Sequence, residues 1–285
     1  MSPADPTPSH VLDLAWSSLE GNEPAITLDH LADFTEEPSN ATEIEAIFGE
    51  LILLQVLARL ALGDLKGARS AMDIATTTVR SQPGPLQAEL ENDADLVRAE
   101  AEILLAEWRP EDACEAYLRL LDGAEDEEAA AYHQRLALCN DLLGDFETAD
   151  AHMESARGLA PFQVTEDELD AIVDEARAAL PETFQQALAQ VAVVVEPMPT
   201  RSMAKSGGNL AETPPDLLGL FLGAPIGEPA APGETPTCIR LFTRNLERIC
   251  TTRAELVLEM QVTLYHELGH ALGLDEAGVD AIGLA

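Results

Sequence analysis

The stretch VTLYHELGHALGLDE, Val262–Glu276, decides how this chain is read. It places His266 and His270 four residues apart, Glu267 directly after the first histidine, and Gly273 three past the second. On a helix, residues four apart project from one face, one turn above the other. Zinc takes imidazole nitrogens at about 2.0–2.1 Å in a tetrahedron, and such a pair supplies two corners without strain. Glu267 is rotated about 100° from His266, beside the open corner. There it accepts a proton from a water without itself ligating the ion.

The helix carrying these residues has a start and a stop. Thr252 and Glu255 fit a capping box, and Gly273 ends the helix. Val257, Met260, Leu264, Leu268 and Ala271 recur at helical spacing and give a core face. A third protein ligand comes from beyond the bend, where Glu276 lies three residues past Gly273. Asp275, with a shorter arm and a different offset, stays as the alternative. Glu259 stands two turns before His266, about 10 Å along the axis, and is out of reach. Only residues 277–285 follow, so no further helix is expected to bring a ligand.

Working back from this helix, residues 163–250 read as a small α+β assembly. Residues 165–190 form a helix that stops near Pro181 and briefly resumes. The β-branched run 191–197 is a buried strand, and 217–223 and 237–243 are two more. A long Pro/Gly/Ser loop precedes the second strand and another follows it; such loops often carry function. A short helix occupies 244–250.

The first 160 residues hold an irregular internal repeat. LALGDLKGARSAMDIA, LAEWRPEDACEAYLRLL and LLGDFETADAHMESARGLAP each place a leucine-rich helix, a tight turn and a second helix. The second helices open with Ala68, Ala113 and Ala149, 45 and 36 residues apart. A weaker copy around residues 16–34 puts Ala25 in the corresponding place. Small residues at the crossing let antiparallel helices approach, and each hairpin needs its neighbour to bury its apolar stripe.

Composition bounds the rest. Hydrophobic residues make up 46% and aromatics only 4%, which favours helices packed through aliphatic side chains. The net charge is -36, with 52 acidic residues against 16 basic ones, of which only Lys66 and Lys205 are lysines. Such a field repels phosphate backbones and anionic lipid, so no nucleic acid and no membrane partner is expected. No signal peptide and no membrane span is evident, and the chain reads as soluble and cytoplasmic. Cys114, Cys139, Cys238 and Cys250 show no paired spacing and are read as reduced structural thiols. His10, His30, His133 and His152 are read as ordinary surface or packing residues.

Two resemblances extend this reading. The last hairpin, with Gly144, Ala149, Ala156 and Pro161, resembles a tetratricopeptide repeat, and the likeness covers roughly residues 10–160. It implies a surface for a protein partner. VAVVVEP, LLGLFLGAPI, IRLFTRNLERIC and VTLYHELGHALGLDE together resemble the minimal zincin-like metallopeptidase family, compact bacterial domains carrying HExxHxxGxxD or a close variant. That resemblance implies one zinc ion, with His266, His270 and Glu276 as ligands and Glu267 as the general base. It implies a peptide or protein substrate. Glutamate stands at 276 where the family commonly has aspartate. For the oxyanion donor of such a reaction, Arg240, Arg244 and Arg248 are candidates alongside Tyr265, and with none of them a weak or very selective enzyme results. The alternative is a non-catalytic repeat scaffold carrying a structural or vestigial zinc site. The expected architecture is α+β: tetratricopeptide-like hairpins over 1–162, then a zincin-like domain with a short sheet and an active-site helix over 163–285.

Overall fold

The computed structural model describes residues 7–36, 41–82, 84–158, 162–206, 213–228, 236–275 and 278–279. The chain forms two compact units, 1–139 and 140–285. Helices dominate the first, and a small sheet backed by helices lies in the second, so the class is α+β.

The first unit contains α1 (Pro8–Glu20), α2 (Pro24–Glu36), α3 (Ala41–Ala61), α4 (Leu65–Arg80), α5 (Gly84–Leu90), α6 (Ala94–Ala106) and α7 (Pro110–Leu121). The boundary at 139/140 falls inside α8 (Asp126–Leu143), earlier than the 162/163 boundary drawn from composition. The helical hairpins α1–α2, α3–α4 and α6–α7 turn in one way, and α8 reaches α9 (Phe146–Arg157) by the same turn. A residue in the left-handed region, Asn22, Gly63, Trp108 or Gly144, breaks each first helix at φ 58, 70, 59 and 79°. The next residue sends its N–H back five positions: Glu23 to Ser18 O, Asp64 to Arg59 O, Arg109 to Leu104 O and Asp145 to Asn140 O, all at 2.8–2.9 Å.

Gly63 and Gly144 adopt this conformation without strain, whereas Trp108 holds it through its buried ring. Five residues past each left-handed position stand Thr27, Ala68, Ala113 and Ala149, all fully buried. The first copy is therefore registered by Thr27, and Ala25 is exposed. Threonine fits there because its hydroxyl pairs with Ser18 Oγ at 2.9 Å.

The second unit adds α10 (Glu166–Ala179), α11 (Glu182–Leu188), β1 (Ala192–Glu196), α12 (Arg201–Ser206), β2 (Gly219–Leu222), β3 (Cys238–Phe242), α13 (Thr243–Ile249) and α14 (Arg253–Ala271). The sheet order is β1-β3-β2. β1 runs parallel to β3, from Ala192 opposite Cys238 to Glu196 opposite Phe242. β2 runs antiparallel to β3, with Gly219 opposite Leu241 and Leu222 opposite Cys238. Helix α12 lies inside a stretch read from sequence as loop; Thr200 Oγ1 accepts from Met203 N at 3.3 Å and starts it.

α14 is the centre of this unit. Its Leu256, Met260, Leu264, Leu268 and Ala271 are fully buried among Ile172, Ala176, Ile239, Leu241 and Leu246. Leu256 occupies the first core position, and Val257 is only half-buried. The four cysteines carry thiols, and Cys139, Cys238 and Cys250 are buried. Burial pushes the Cys250 thiol up to about 11. Among the described residues, no helix is long and apolar enough to cross a membrane.

One carboxyl in the first unit opposes folding. Burial, then the neighbouring Asp93 and Glu50, push Asp95 up to about 6. The native state therefore binds a proton more readily than the unfolded chain, and this contribution to stability is lost as pH rises from about 4 to 6. Asp95→Asn should raise stability at pH 7 by about 1–2 kcal/mol, discounted for partial exposure, and flatten the pH dependence between 4 and 6. Thermal unfolding of both proteins across that range checks it.

Candidate metal centre

The capping box at the start of α14 is fully formed. Thr252 Oγ1 accepts from Glu255 N at 3.2 Å, and Glu255 Oε2 accepts from Thr252 N at 3.2 Å. At the other end Gly273 adopts φ 87°, and Leu274 N returns to Gly269 O at 3.1 Å. The Ala271 carbonyl accepts from Ile226 N at 2.7 Å, tying the helix end to the segment after β2. Both ends of α14 are thus satisfied, and its core face fixes its rotation.

Between these ends, His266 and His270 project together and are half-buried. Their Nε2 atoms stand 3.1 Å apart, with ring centroids at 4.9 Å and planes at 77°. Two nitrogens on one tetrahedral zinc are separated by about 3.3 Å, so the pair matches the edge of that polyhedron. His270 Nδ1 lies 3.0 Å from Leu274 O. A backbone carbonyl there accepts a hydrogen bond from Nδ1–H and leaves the Nε2 lone pair for a metal, the usual support for a metal-bound histidine. Leu274 reaches that position because Gly273 bends the chain back.

Glu267 is 7% exposed. Its Oε2 accepts from Phe221 N at 2.7 Å. The register explains why this amide is available. Phe242 N donates to Leu218 O, so the bonded pairs along β2 are at 218, 220 and 222. Gly219 and Phe221 therefore direct their backbone groups away from β3, toward the open edge. Gly219 also permits the contact sterically. A Cβ there would stand 2.5 Å from Thr263 Cγ2 and 3.0 Å from Glu267 Cγ.

Glu276 lies outside the described residues. Asp275 is exposed, and its Oδ1 accepts from Gly278 N at 2.9 Å, capping the next turn. Among the described residues, no group of three or more His, Cys, Asp or Glu side chains is placed to hold a metal ion. The imidazole pair is what the described structure contributes.

The oxyanion candidates are otherwise engaged. Arg240 Nη1 pairs with Glu196 at 2.6 Å, Arg244 with Asp141 and Asp150, and Arg248 with Asp141. The Tyr265 ring packs edge-on against Phe184 with centroids 4.3 Å apart. Sequence reasoning missed the Phe221 amide, because a backbone donor has no side-chain signature. A glycine inside the apolar run LLGLFLG was the available hint of a close approach.

Residues 188–284 match the family model described as zincin-like metallopeptidase, from the end of α11 through α14. This supports a zincin-like domain in that stretch. Comparison with curated proteins gives no match.

The seat of Glu267 can be tested by filling it. Gly219→Ala should destabilise the protein by about 1–3 kcal/mol through overpacking against Thr263. It should also expose the Phe221 amide. Chemical denaturation and amide exchange of the two proteins check both effects.

Proposed function

We propose that the chain is a zinc-dependent peptidase whose zincin-like domain hydrolyses peptide bonds and whose helical hairpins recruit a protein substrate or partner. The observation that carries the reading is the 3.1 Å separation of two imidazole nitrogens, with Glu267 between them in sequence and buried on the same helix. His266, His270 and Glu276 would hold one ion, with Asp275 as the alternative to Glu276. Zinc bound there lowers the pKa of a water toward ~7 and polarises the scissile carbonyl.

The remaining chemistry belongs to the chain. Glu267 takes the proton of the attacking water and returns it to the leaving amine. Its burial against β2 excludes bulk water and restricts the carboxylate to few orientations. With the Phe221 amide held by Glu267, the outward backbone groups of Gly219 and the Phe221 carbonyl are what β2 offers an extended peptide to pair with. The engagement of Arg240, Arg244 and Arg248 in ion pairs and of Tyr265 in ring packing favours a slow or selective enzyme. In the first unit, a cavity of about 340 Å³ is floored by Met72, Val79, Leu90 and Leu96, with Arg80 and Arg119 among its lining. It supports the recruitment role of the hairpins.

Glu267→Gln should abolish peptide hydrolysis while leaving zinc content unchanged, and His270→Ala should lose the metal. Elemental analysis and cleavage of an unfolded-protein substrate, with and without chelator, measure both. A non-catalytic scaffold with a structural zinc site would instead bind zinc and show no chelator-sensitive cleavage in the parent protein.

A further inference from the structure

We infer that Asn245, locked by the buried Asp141–Arg248 pair, is a positioning residue that sets edge strand β2 against Glu267. This rests on the peptidase reading above and deepens it.

Asparagine is a poor choice for a buried helical position, since it loses helix propensity and must find partners for an amide. Asn245 sits in α13 at 1% exposure, and its amide is satisfied at every point. Nδ2 donates to Pro215 O at 3.0 Å and to Leu217 O at 2.8 Å. Oδ1 accepts from Arg248 Nη1 at 2.8 Å. Both accepting carbonyls belong to the short segment that leads into β2. A turn closed by Leu217 N on Pro214 O stiffens that segment, and the two prolines fix their own φ.

The other end of the chain of contacts is equally fixed. Arg248 Nη2 donates to Asp141 Oδ2. Asp141 Oδ1 accepts from Arg244 Nε at 2.9 Å, and Arg244 Nη2 reaches Asp150 at 2.5 Å. The Asp141 side chain is 2% exposed and that of Arg248 12%. At such burial neither partner reorients without leaving an unpaired charge, so the guanidinium that orients Asn245 has one available pose. Arg157 adds bonds from the end of α9 to the carbonyls of Arg248 and Cys250.

The polar path therefore runs from Asp141 through Arg248 and Asn245 to the 215–217 carbonyls. Two residues later Gly219 rests on Thr263 and Glu267, and then Phe221 N holds the Glu267 carboxylate. A shift of the 215–217 segment moves the strand that seats the base and aligns the peptide, while the imidazoles on α14 stay in place.

The test uses the full-length protein loaded with zinc. Asn245→Asp keeps the shape and the bond from Arg248 but removes both donors to the segment. Arg248→Lys keeps Asp141 paired and removes the fork that holds Asn245, and it carries the test should Asn245→Asp not fold. In either variant, amide exchange at Gly219 and Phe221 should speed by ~10-fold or more while the amides of α14 keep their protection. Zinc content should be unchanged, and turnover of a short peptide should fall with a rise in KM, since the same strand seats the base and aligns the peptide. Unaltered exchange at Gly219 and Phe221, or a lower melting temperature with unaltered turnover per folded molecule, would overturn the assignment. If the parent protein cleaves no peptide, the peptidase reading fails, and the exchange result alone decides whether Asn245 positions β2.

Discussion

The Nε2 atoms of His266 and His270 stand 3.1 Å apart on one face of α14, a helix whose position is fixed at both ends and along its core face. Five of its side chains are fully buried, its amino end is closed by a reciprocal cap, and its carboxyl end is tied to Ile226. That separation matches one edge of a zinc coordination tetrahedron. The carbonyl of Leu274 accepts from His270 Nδ1, which leaves Nε2 facing His266. The sheet, the loops and the bend at Gly273 can each be understood as what is needed around this pair.

The Glu267 carboxylate shows how closely strand and helix are matched. A buried carboxylate needs donors, and the sheet supplies one from an edge amide that its own register leaves unused. One strand thereby seats the carboxylate, with Gly219 as the residue whose missing side chain permits the close approach.

Much of this was legible in the sequence, for local reasons. Histidine spacing, the Thr252–Glu255 box, the Gly273 stop and three β-branched or apolar runs are short-range patterns, and helix and strand periodicity convert them directly into geometry. The repeat was also legible, the copy that turns at Trp108 included, although Thr27 rather than Ala25 registered the first one. What was not legible is long-range. Asp141 and Arg248 lie 107 positions apart. In a chain of net charge -36, one more aspartate and one more arginine carry no mark of being partners. Nothing in composition signals that α9, read as the end of the repeat, contributes Asp150 and Arg157 to the support of α13. The compact unit therefore begins before the texture changes.

X-ray absorption at the zinc edge, recorded on the full-length protein with one equivalent of zinc, tests the central claim most directly. The account predicts a single bound ion whose spectrum requires two imidazoles, the rest of its coordination being oxygen. A spectrum without imidazole scattering would contradict it, as would one left unchanged in the protein with both His266 and His270 replaced by alanine.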